Sequence, residues 1–332
     1  MSIIWLEDFN SISLSDLPAA GYTVLGTPTT SAGRFLASSK GFADTSTTSV
    51  IGLVLPAAMP TLTIGVANKA LAFTTGQAQR LLCATTGTLG TGTTTDLEFR
   101  YVPGSGFTLV VGNVFVTGYT PYTRTANVWD YFELQVTPTQ ITGRINGTQV
   151  CLYNVAAQSY TKVGMGATRN SGAASTYGFY NDFYVRDDTV FQGDCQVFPR
   201  YPSSDVTKGL TPLTGTANYA MVGESLQDGD TSYVSSAVPS VADLYLSSAG
   251  IPGDPAVIHG VGVRMWARKD DATVRNVRAR LKSGAAIVNG TTLALTTAYA
   301  TMQNSWNTDP NTGAAWTSAA ILASTFGPEV TP

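Results

Sequence analysis

The sequence of 332 residues has few charged residues. Asp, Glu, Lys and Arg make up 12% of the chain, about half the usual share, and 19 basic against 22 acidic residues leave a formal net charge of −3. This balance argues against nucleic acid as the main partner, because phosphate binding needs a basic surface. A near-neutral surface with little self-repulsion instead favours a protein that packs against copies of itself or against other chains.

Histidine, cysteine and long apolar runs are also scarce. His259 is the only histidine, and Cys83, Cys151 and Cys195 lie far apart with no CxxC pair, so we expect no metal centre. An odd number of cysteines without a secretion signal favours free thiols in a protein made in a reducing cytosol, and a later disulfide between two of them stays open. No stretch approaches the roughly 18 consecutive apolar residues of a membrane span, so we expect no membrane insertion.

The five glutamates are scattered and give no paired carboxylates. They are Glu7, Glu98, Glu133, Glu224 and Glu329. A glycoside hydrolase needs two carboxyl groups about 5 to 9.5 Å apart across one cleft. We therefore predict that the protein is not an enzyme and has no catalytic residues. We expect no cofactor: the pairs Asp187-Asp188 and Asp270-Asp271 lack the spacing of a calcium loop and are interpreted as turn residues, with structural calcium as the alternative.

Alternating apolar and polar residues fill most of the chain. In residues 132–136, Phe, Leu and Val alternate with Glu and Gln, as in a strand with one buried and one solvated face. Asn146-Gly147 and Asn289-Gly290 predict two-residue hairpin turns, because both residue types tolerate positive φ. The only helix expected is a short one near 317–324. The sequence predicts an all-β protein, with an N-terminal jelly-roll sandwich followed by a second β-sandwich domain.

A change in pattern marks the predicted domain boundary. Two prolines and a Ser-Ser pair interrupt the alternation between residues 193 and 205. We therefore predict a jelly-roll domain in residues 1–193, a Pro-rich linker in 194–206 and a C-terminal β-sandwich assembly domain in 207–332, all of ordinary size for their class.

Several segments are similar to modules of tailed-phage virion proteins. Residues 130–150 (DYFELQVTPTQITGRINGTQV) and 180–187 (YNDFYVRD) resemble the concanavalin-like, laminin-G-like jelly roll of such proteins. Residues 219–230 (YAMVGESLQDGD), 261–271 (VGVRMWARKDD) and 309–317 (DPNTGAAWT) resemble, in that order, a C-terminal module common in phage virion proteins. Together the two resemblances cover nearly the whole chain.

The resemblance implies a non-enzymatic bacteriophage virion structural protein, made in the host cytoplasm and assembled into the particle. Because laminin-G-like domains are common on fibres, tips and baseplates, we expect a tail location and contact with host-surface polysaccharide. The alternatives are a head decoration protein that stabilises the capsid and a free carbohydrate-binding module. The expected partners are other virion proteins and copies of the chain itself in a homo-oligomer, for which a trimer would fit.

Two aromatic-rich segments contain the candidate residues for glycan or subunit contact. The segments are 118–124 (GYTPYTR) and 175–184 (STYGFYNDFY), and the candidate residues are Tyr119, Tyr122 and Tyr177. Exposed tyrosine rings stack on sugar faces and also anchor protein interfaces. Core packing is the competing interpretation of part of this cluster.

A basic stripe in the second half is the other candidate surface. Strands at 261–267 and 277–281, joined across 269–271, are predicted to be neighbours and to place their basic residues on one face. The candidate docking face consists of Arg264, Arg268, Arg278, Arg280 and Lys282. Since Trp266 is the only interleaved aromatic residue, we do not expect single-stranded nucleic acid to bind there. A solvated face is the first interpretation, and docking onto an acidic patch of a neighbouring subunit is the second.

Overall fold

The structure is a computed structural model, and it describes residues 2–10, 12–34, 40–44, 49–73, 78–89, 97–166, 178–248, 250–253 and 255–332. The chain forms two compact units. Leu6–Val197 form the N-terminal unit, and Ser2–Trp5 together with Phe198–Pro332 form the C-terminal unit. The division therefore lies inside the segment predicted as a linker, and the second half of that segment is a strand, Pro202–Thr207.

In the described residues, fifteen strands precede the division between the units. They are β1 (Ile3–Glu7), β2 (Tyr22–Leu25), β3 (Thr29–Ala32), β4 (Lys40–Asp44), β5 (Val50–Met59), β6 (Leu62–Ala70), β7 (Gln79–Thr85), β8 (Leu97–Val102), β9 (Gly106–Val111), β10 (Val114–Phe115), β11 (Trp129–Val136), β12 (Gln140–Ile145), β13 (Thr148–Asn154), β14 (Tyr160–Met165) and β15 (Gly178–Arg186).

These strands form two antiparallel sheets. One has the order β13-β12-β11-β6-β15-β4-β3, with β1 also paired to β15, and the other has the order β10-β9-β8-β7-β14-β5-β2. Strands that are distant in sequence thus become neighbours, as in the jelly roll that was predicted. The core lies between the sheets, where the ring centroids of Phe99 and Phe107 lie 6.2 and 5.8 Å from that of Phe132. Burying each such ring contributes about 1.5–3 kcal/mol.

The first predicted hairpin turn is confirmed and the second is wrong. Asn146 and Gly147 have φ values of 47° and 80° and join β12 to β13. Asn289-Gly290 does not connect paired strands, because the segments on both sides of it pair with the same strand, Asn276–Ser283. The Gly290 N–H donates to the Ala279 carbonyl at 2.8 Å, so the chain continues along one edge instead of reversing.

Ten strands and one helix make up the rest of the described chain. They are β16 (Pro202–Thr207), β17 (Thr211–Pro212), β18 (Val234–Ser235), β19 (Leu244–Ser247), β20 (Val261–Ala267), β21 (Asn276–Ser283), β22 (Ala286–Asn289), β23 (Leu293–Ala294), β24 (Ala300–Trp306), α1 (Ser318–Ala323) and β25 (Thr325–Thr331), with a 3₁₀ turn at Tyr219–Met221. The short helix predicted near 317–324 is confirmed, and the Thr317 hydroxyl caps it by accepting the Ala320 N–H at 3.1 Å.

The C-terminal unit contains one six-stranded sheet and two ribbons. The sheet has the order β16-β19-β25-β21-β22, with β23 also on β21, and the ribbons are β17-β18 and β20-β24. The first residues of the chain belong to this unit, since the Ile3 N–H donates to Asn307 Oδ1 at 3.1 Å. Both units are built from antiparallel strands, and the predicted all-β fold is confirmed. No described helix is long and apolar enough to cross a membrane.

The prediction that the strands at 261–267 and 277–281 are neighbours is wrong. β20 pairs along its whole length with β24, from Val261 opposite Trp306 to Ala267 opposite Ala300. β21 pairs with β22, β23 and β25 instead. The alternation of apolar residues in β20 suits either partner, and β24 provides a matching residue, because Met302 stands opposite Met265.

Candidate functional site: an exposed aromatic surface on the N-terminal unit

A group of exposed apolar side chains follows strand β9 in the N-terminal unit. Val114, Phe115, Tyr119 and Tyr122 expose 62%, 51%, 44% and 38% of their surfaces, and we call these four residues the aromatic surface. Exposed apolar residues that occur singly need no explanation, whereas a contiguous group marks an interaction site. Two of the three predicted contact tyrosines therefore lie in one exposed group, and Tyr177 lies outside the described residues.

The rings of Phe115 and Tyr119 form the most exposed part of the aromatic surface. Their centroids are 6.0 Å apart and their planes are inclined at 45°. The Arg100 guanidinium lies 5.7 Å from the centroid of Phe115, and its Nε also binds Glu98, so the charge is held in place. The arrangement offers ring faces for stacking and a phenol hydroxyl within one small area, beside the buried Arg100–Glu98 pair.

Tyr122 connects the aromatic surface to the core. Its ring centroid lies 5.3 Å from that of Phe107, which is fully buried, with the planes inclined at 52°. One side of the Tyr122 ring therefore packs against the core while the remainder faces solvent. Core packing and surface exposure, which were alternative interpretations of this segment, apply to different sides of the same ring.

The segment that carries Tyr119 is fixed to β9 by hydrogen bonds. The Thr120 N–H donates to the Phe107 carbonyl at 2.8 Å, and the Phe107 N–H donates to the Thr120 carbonyl at 2.9 Å. Gly106 has a φ of 115°, and a Cβ at this position would lie 1.9 Å from the Thr120 carbonyl oxygen. Only glycine permits this approach. A surface held in this way loses little conformational entropy when it binds a ligand.

A buried arginine anchors the far end of the same segment. Arg124 donates from Nε to Asp130 at 2.8 Å and from Nη1 to Gln79 at 3.0 Å, while Nη2 donates to the side chain of Asn68 at 3.0 Å. Its guanidinium lies 4.7 Å from the centroid of Phe132. Burial lowers the pKa of Arg124, and the attraction of the adjacent Asp130 acts in the opposite direction.

Sequence reasoning missed two parts of this site. Val114 and Phe115 follow a Gly112-Asn113 turn whose φ values are 55° and 66°. This turn between apolar residues was an available hairpin signal. Arg124 had no comparable signal, because an arginine between two loops is usually exposed and only the three-dimensional contacts reveal its burial.

The predicted basic docking face divides between two sheets. On β21, Arg278, Arg280 and Lys282 alternate with buried residues and share one side of the strand. The Glu329 carboxylate on the neighbouring strand lies 2.8 Å from Arg278 Nε and 3.6 Å from Arg280 Nε. Much of the positive charge on this part of the face is therefore neutralised within the unit.

The other two predicted residues belong to the β20 ribbon. The Arg264 guanidinium lies 5.5 Å from the centroid of Trp5. Arg268, which follows β20, pairs with Asp230 at 2.9 Å, and Asp230 also accepts the Tyr299 hydroxyl at 2.8 Å. Because β20 and β21 are not adjacent strands, the five residues do not form the continuous face that was predicted.

All five glutamates have local structural partners, and Glu224 accepts the Ser232 hydroxyl at 3.4 Å. Glu7 accepts the Phe9 N–H at 2.9 Å, Glu98 lies between Arg80 and Arg100, and Glu133 accepts the Tyr184 hydroxyl at 2.5 Å. Glu329 pairs with two arginines, as described above. Within the described ranges, no group of three histidine, cysteine, aspartate or glutamate side chains is placed to hold a metal ion. The cysteines 83, 151 and 195 are free thiols in this structure.

Comparisons with known proteins find only distant structural similarity. No family model and no curated protein matches the sequence. Domain 4 of AbnA, a GH43 extracellular arabinanase from Geobacillus stearothermophilus, solved with arabinotriose, is 14% identical with a TM-score of 0.39, over 55% of this chain and 91% of that one. A protein with a galectin-like fold from Bacillus subtilis is 14% identical with a TM-score of 0.40, over 56% and 96%.

The binding domain of Paraclostridial Mosquitocidal Protein 1 is a further similar structure. It is 11% identical with a TM-score of 0.42, and the match covers 57% of this chain and 50% of that one. The match thus spans half the length of that chain. At these identities and TM-scores the similarities carry no argument about ligands or function, and none of the three structures bears on a place in a phage virion.

Proposed function

We propose that the N-terminal unit is a non-catalytic recognition domain that binds saccharide through the aromatic surface. The observation that carries the proposal is the exposed, inclined pair of rings Phe115 and Tyr119 on a segment held by backbone hydrogen bonds to β9. The C–H faces of a sugar stack on such rings, while the Tyr119 hydroxyl supplies a polar contact.

The absence of catalysis is part of the same proposal. Enzymatic hydrolysis of a glycosidic bond needs two carboxyl groups that face one cleft. Glu98, the glutamate whose arginine partner Arg100 reaches the aromatic surface, is fully buried and binds two arginines. Its role is to hold Arg100, and we propose binding without hydrolysis.

For the whole chain we propose a virion structural protein, located on the tail and contacting host-surface glycans. The similarity of the sequence to phage modules supports this setting, and the low charge supports assembly in many copies. A capsid-stabilising decoration protein and a free carbohydrate-binding module remain the alternatives. Synthesis in the host cytoplasm belongs to the same proposal.

The saccharide proposal is tested by glycan-array screening followed by calorimetry with the best ligand. The Phe115→Ala/Tyr119→Ala double variant should bind at least about tenfold more weakly, since stacking on aromatic rings is worth about 1–3 kcal/mol. Tyr233→Ala removes a comparably exposed tyrosine from the C-terminal unit and should bind normally. Unchanged affinity in the double variant, or no glycan bound by the wild type, would contradict the proposal.

The virion setting has its own test. Gold-labelled antibody against the chain should mark the tails of source particles, with a few to a few dozen copies per particle by quantitative mass spectrometry. Label over the head in hundreds of copies would favour the decoration alternative. Absence of the protein from particles would leave the free carbohydrate-binding module.

A further inference from the structure

We propose that Trp129, Lys69 and Phe179 form a second binding site, specific for a carboxylated sugar, on the outer face of the eight-stranded sheet. The site shares no residue with the aromatic surface. It rests on the proposed function only in taking a saccharide as the class of ligand.

The three side chains form one row across three neighbouring strands. Trp129 on β11 and Phe179 on β15 both stand opposite Lys69 on β6. Residues directly opposite one another in antiparallel strands point to the same face of a sheet. The Lys69 Nζ lies 5.1 Å from the centroid of Trp129 and 4.9 Å from that of Phe179, so the ammonium group is held beside two aromatic rings.

Lys69 differs from four arginines of the N-terminal unit in its partners. Arg80, Arg100, Arg124 and Arg186 each form an ion pair with a carboxylate. For Lys69 the described residues supply the two rings and no carboxylate within ion-pair distance. Lys69 is half-buried, and its ammonium group beside the two rings is the group to which an anionic ligand binds in this proposal.

Residues 187–197 cover the neighbouring rows of the same face of the sheet, and this limits the site to the row of Trp129, Lys69 and Phe179. Residues 187–197 run across the following rows of β11, where the Cys195 Sγ lies 3.1 Å from the Tyr131 hydroxyl and the Gly193 N–H donates to Glu133 at 2.9 Å. The Gln135 side chain donates to the Thr189 carbonyl at 2.7 Å. In the described part of the chain, the hydrogen bonds of this covering segment stop one row short of Trp129.

The chemistry of the row selects its ligand. Two ring faces favour the C–H face of a pyranose, and an ammonium group between them favours a carboxylate carried on that ring. A neutral sugar would leave the ammonium group without a counter-charge, and a bare anion would leave the rings unused. A uronic or sialic acid unit satisfies both.

The test compares two ligands with the same sugar units, one with charged carboxylates and one with neutral methyl esters. Trigalacturonate and its fully methyl-esterified form are titrated into the full-length protein by calorimetry. The wild type should bind the acid at least tenfold more tightly than the ester, and Lys69→Met, which keeps the apolar stem, should abolish that preference. Lys162→Met removes a half-buried lysine whose Nζ donates to the Gly87 carbonyl at 2.9 Å, and should preserve the preference.

Three results would overturn this inference. They are no binding of the acid by the wild type, equal binding of acid and ester, and an acid preference that survives Lys69→Met. Competition by inorganic phosphate with the affinity of the sugar acid would also overturn it, since it would show a simple anion site. Lys69→Arg should retain most of the preference, which separates loss of charge from loss of fold.

The two sites can fail separately. The Phe115→Ala/Tyr119→Ala variant should retain the acid preference. If it loses acid binding while Lys69→Met retains it, the saccharide proposal stands and the Lys69 site does not. If Lys69→Met abolishes the acid preference and the Phe115→Ala/Tyr119→Ala variant binds every glycan with the wild-type affinity, the Lys69 site stands. The saccharide proposal for the aromatic surface then fails.

Discussion

The two units place their charged residues in different surroundings. In the N-terminal unit, Arg80, Glu98 and Arg124 are buried, and each charge is paired inside the fold. In the C-terminal unit, pairs such as Arg268–Asp230 lie at the surface. A buried pair fixes the geometry around it, because loss of one partner leaves an uncompensated charge in a low-dielectric interior. A surface pair is solvated and screened, and therefore does little to fix the geometry of the residues around it. The aromatic surface and Arg124, which anchors its far end, lie in the unit with the buried pairs.

The largest expected effect is that of Arg124→Met. The variant leaves Asp130 buried without its 2.8 Å partner, so the free energy of unfolding of the N-terminal unit should fall by about 3–5 kcal/mol. Urea denaturation followed by tryptophan fluorescence measures the change. The comparison between the units breaks down if Arg124→Met is no more destabilising than Arg268→Met in the C-terminal unit.

The second prediction concerns a buried carboxylate at the end of the N-terminal unit. Burial raises the pKa of Asp182 from 3.8 to about 7, although the Val197 N–H, 3.0 Å from its Oδ1, and the Arg34 charge act in the opposite direction. The folded state therefore holds a proton that the unfolded state releases. The stabilising contribution is complete below pH 3.8 and is lost as the pH rises to about 7.

This pH dependence is measurable as a difference between variants. Across that window the contribution amounts to a few kcal/mol, at roughly 1.4 kcal/mol per pKa unit. Asp182→Asn should remove it, so the stability of the variant relative to wild type should rise between pH 4.5 and 7.5 in urea titrations. Asp271→Asn should show no such rise across this range, because hydrogen bonding to Thr273 lowers the pKa of Asp271 from its usual value of 3.8, so this carboxyl titrates below pH 4.5 in both states. A constant difference between wild type and Asp182→Asn would contradict the prediction.

The third prediction contrasts two glycines with positive φ. Gly106→Ala places a Cβ 1.9 Å from the Thr120 carbonyl oxygen and must displace the segment that carries Tyr119, so we expect a loss of about 2–3 kcal/mol and weaker glycan binding. Gly313, with a φ of 71° in the C-terminal unit, has open space around it. Gly313→Ala should cost only about 1 kcal/mol. Thermal unfolding of the two variants measures both losses of stability. Equal losses would show that Thr120 moves away from the new Cβ at no cost in stability.

The smallest effect is expected for the surface pair Arg268–Asp230. A double-mutant cycle with Arg268→Met and Asp230→Asn should give a coupling energy near the limit of detection, and 0.5 M salt should reduce it further. A large coupling that salt does not reduce would mean that this pair behaves like the buried pairs of the other unit.

The local features of the fold were predictable from the sequence, whereas the pairing of distant strands was not. Alternation along 132–136 identified β11, and Asn146-Gly147 identified the hairpin that follows, because both signals act within a few residues. The partner of β20 was mispredicted, since alternation fixes which side of a strand is buried and not which strand lies beside it.

The same distinction applies to the candidate sites. Tyr119 and Tyr122 were predictable because the aromatic residues cluster in sequence. The row of Lys69, Trp129 and Phe179 was not, because its members are 60 and 110 residues away from Lys69 along the chain and meet only through the register of three strands. A site assembled by register leaves no local trace in the sequence.

The hydrogen bond between Ile3 and Asn307 has a consequence for the order of folding. It joins residues 304 positions apart, and the segment Ser2–Trp5 belongs to the same unit as Phe198–Pro332. Closing so long a loop is entropically costly and slow, and Ile3 must wait for Asn307, which is synthesised 304 residues later. The N-terminal unit can therefore complete its fold co-translationally, whereas the C-terminal unit becomes complete only when Ser2–Trp5 can pair with the later segment Phe198–Pro332.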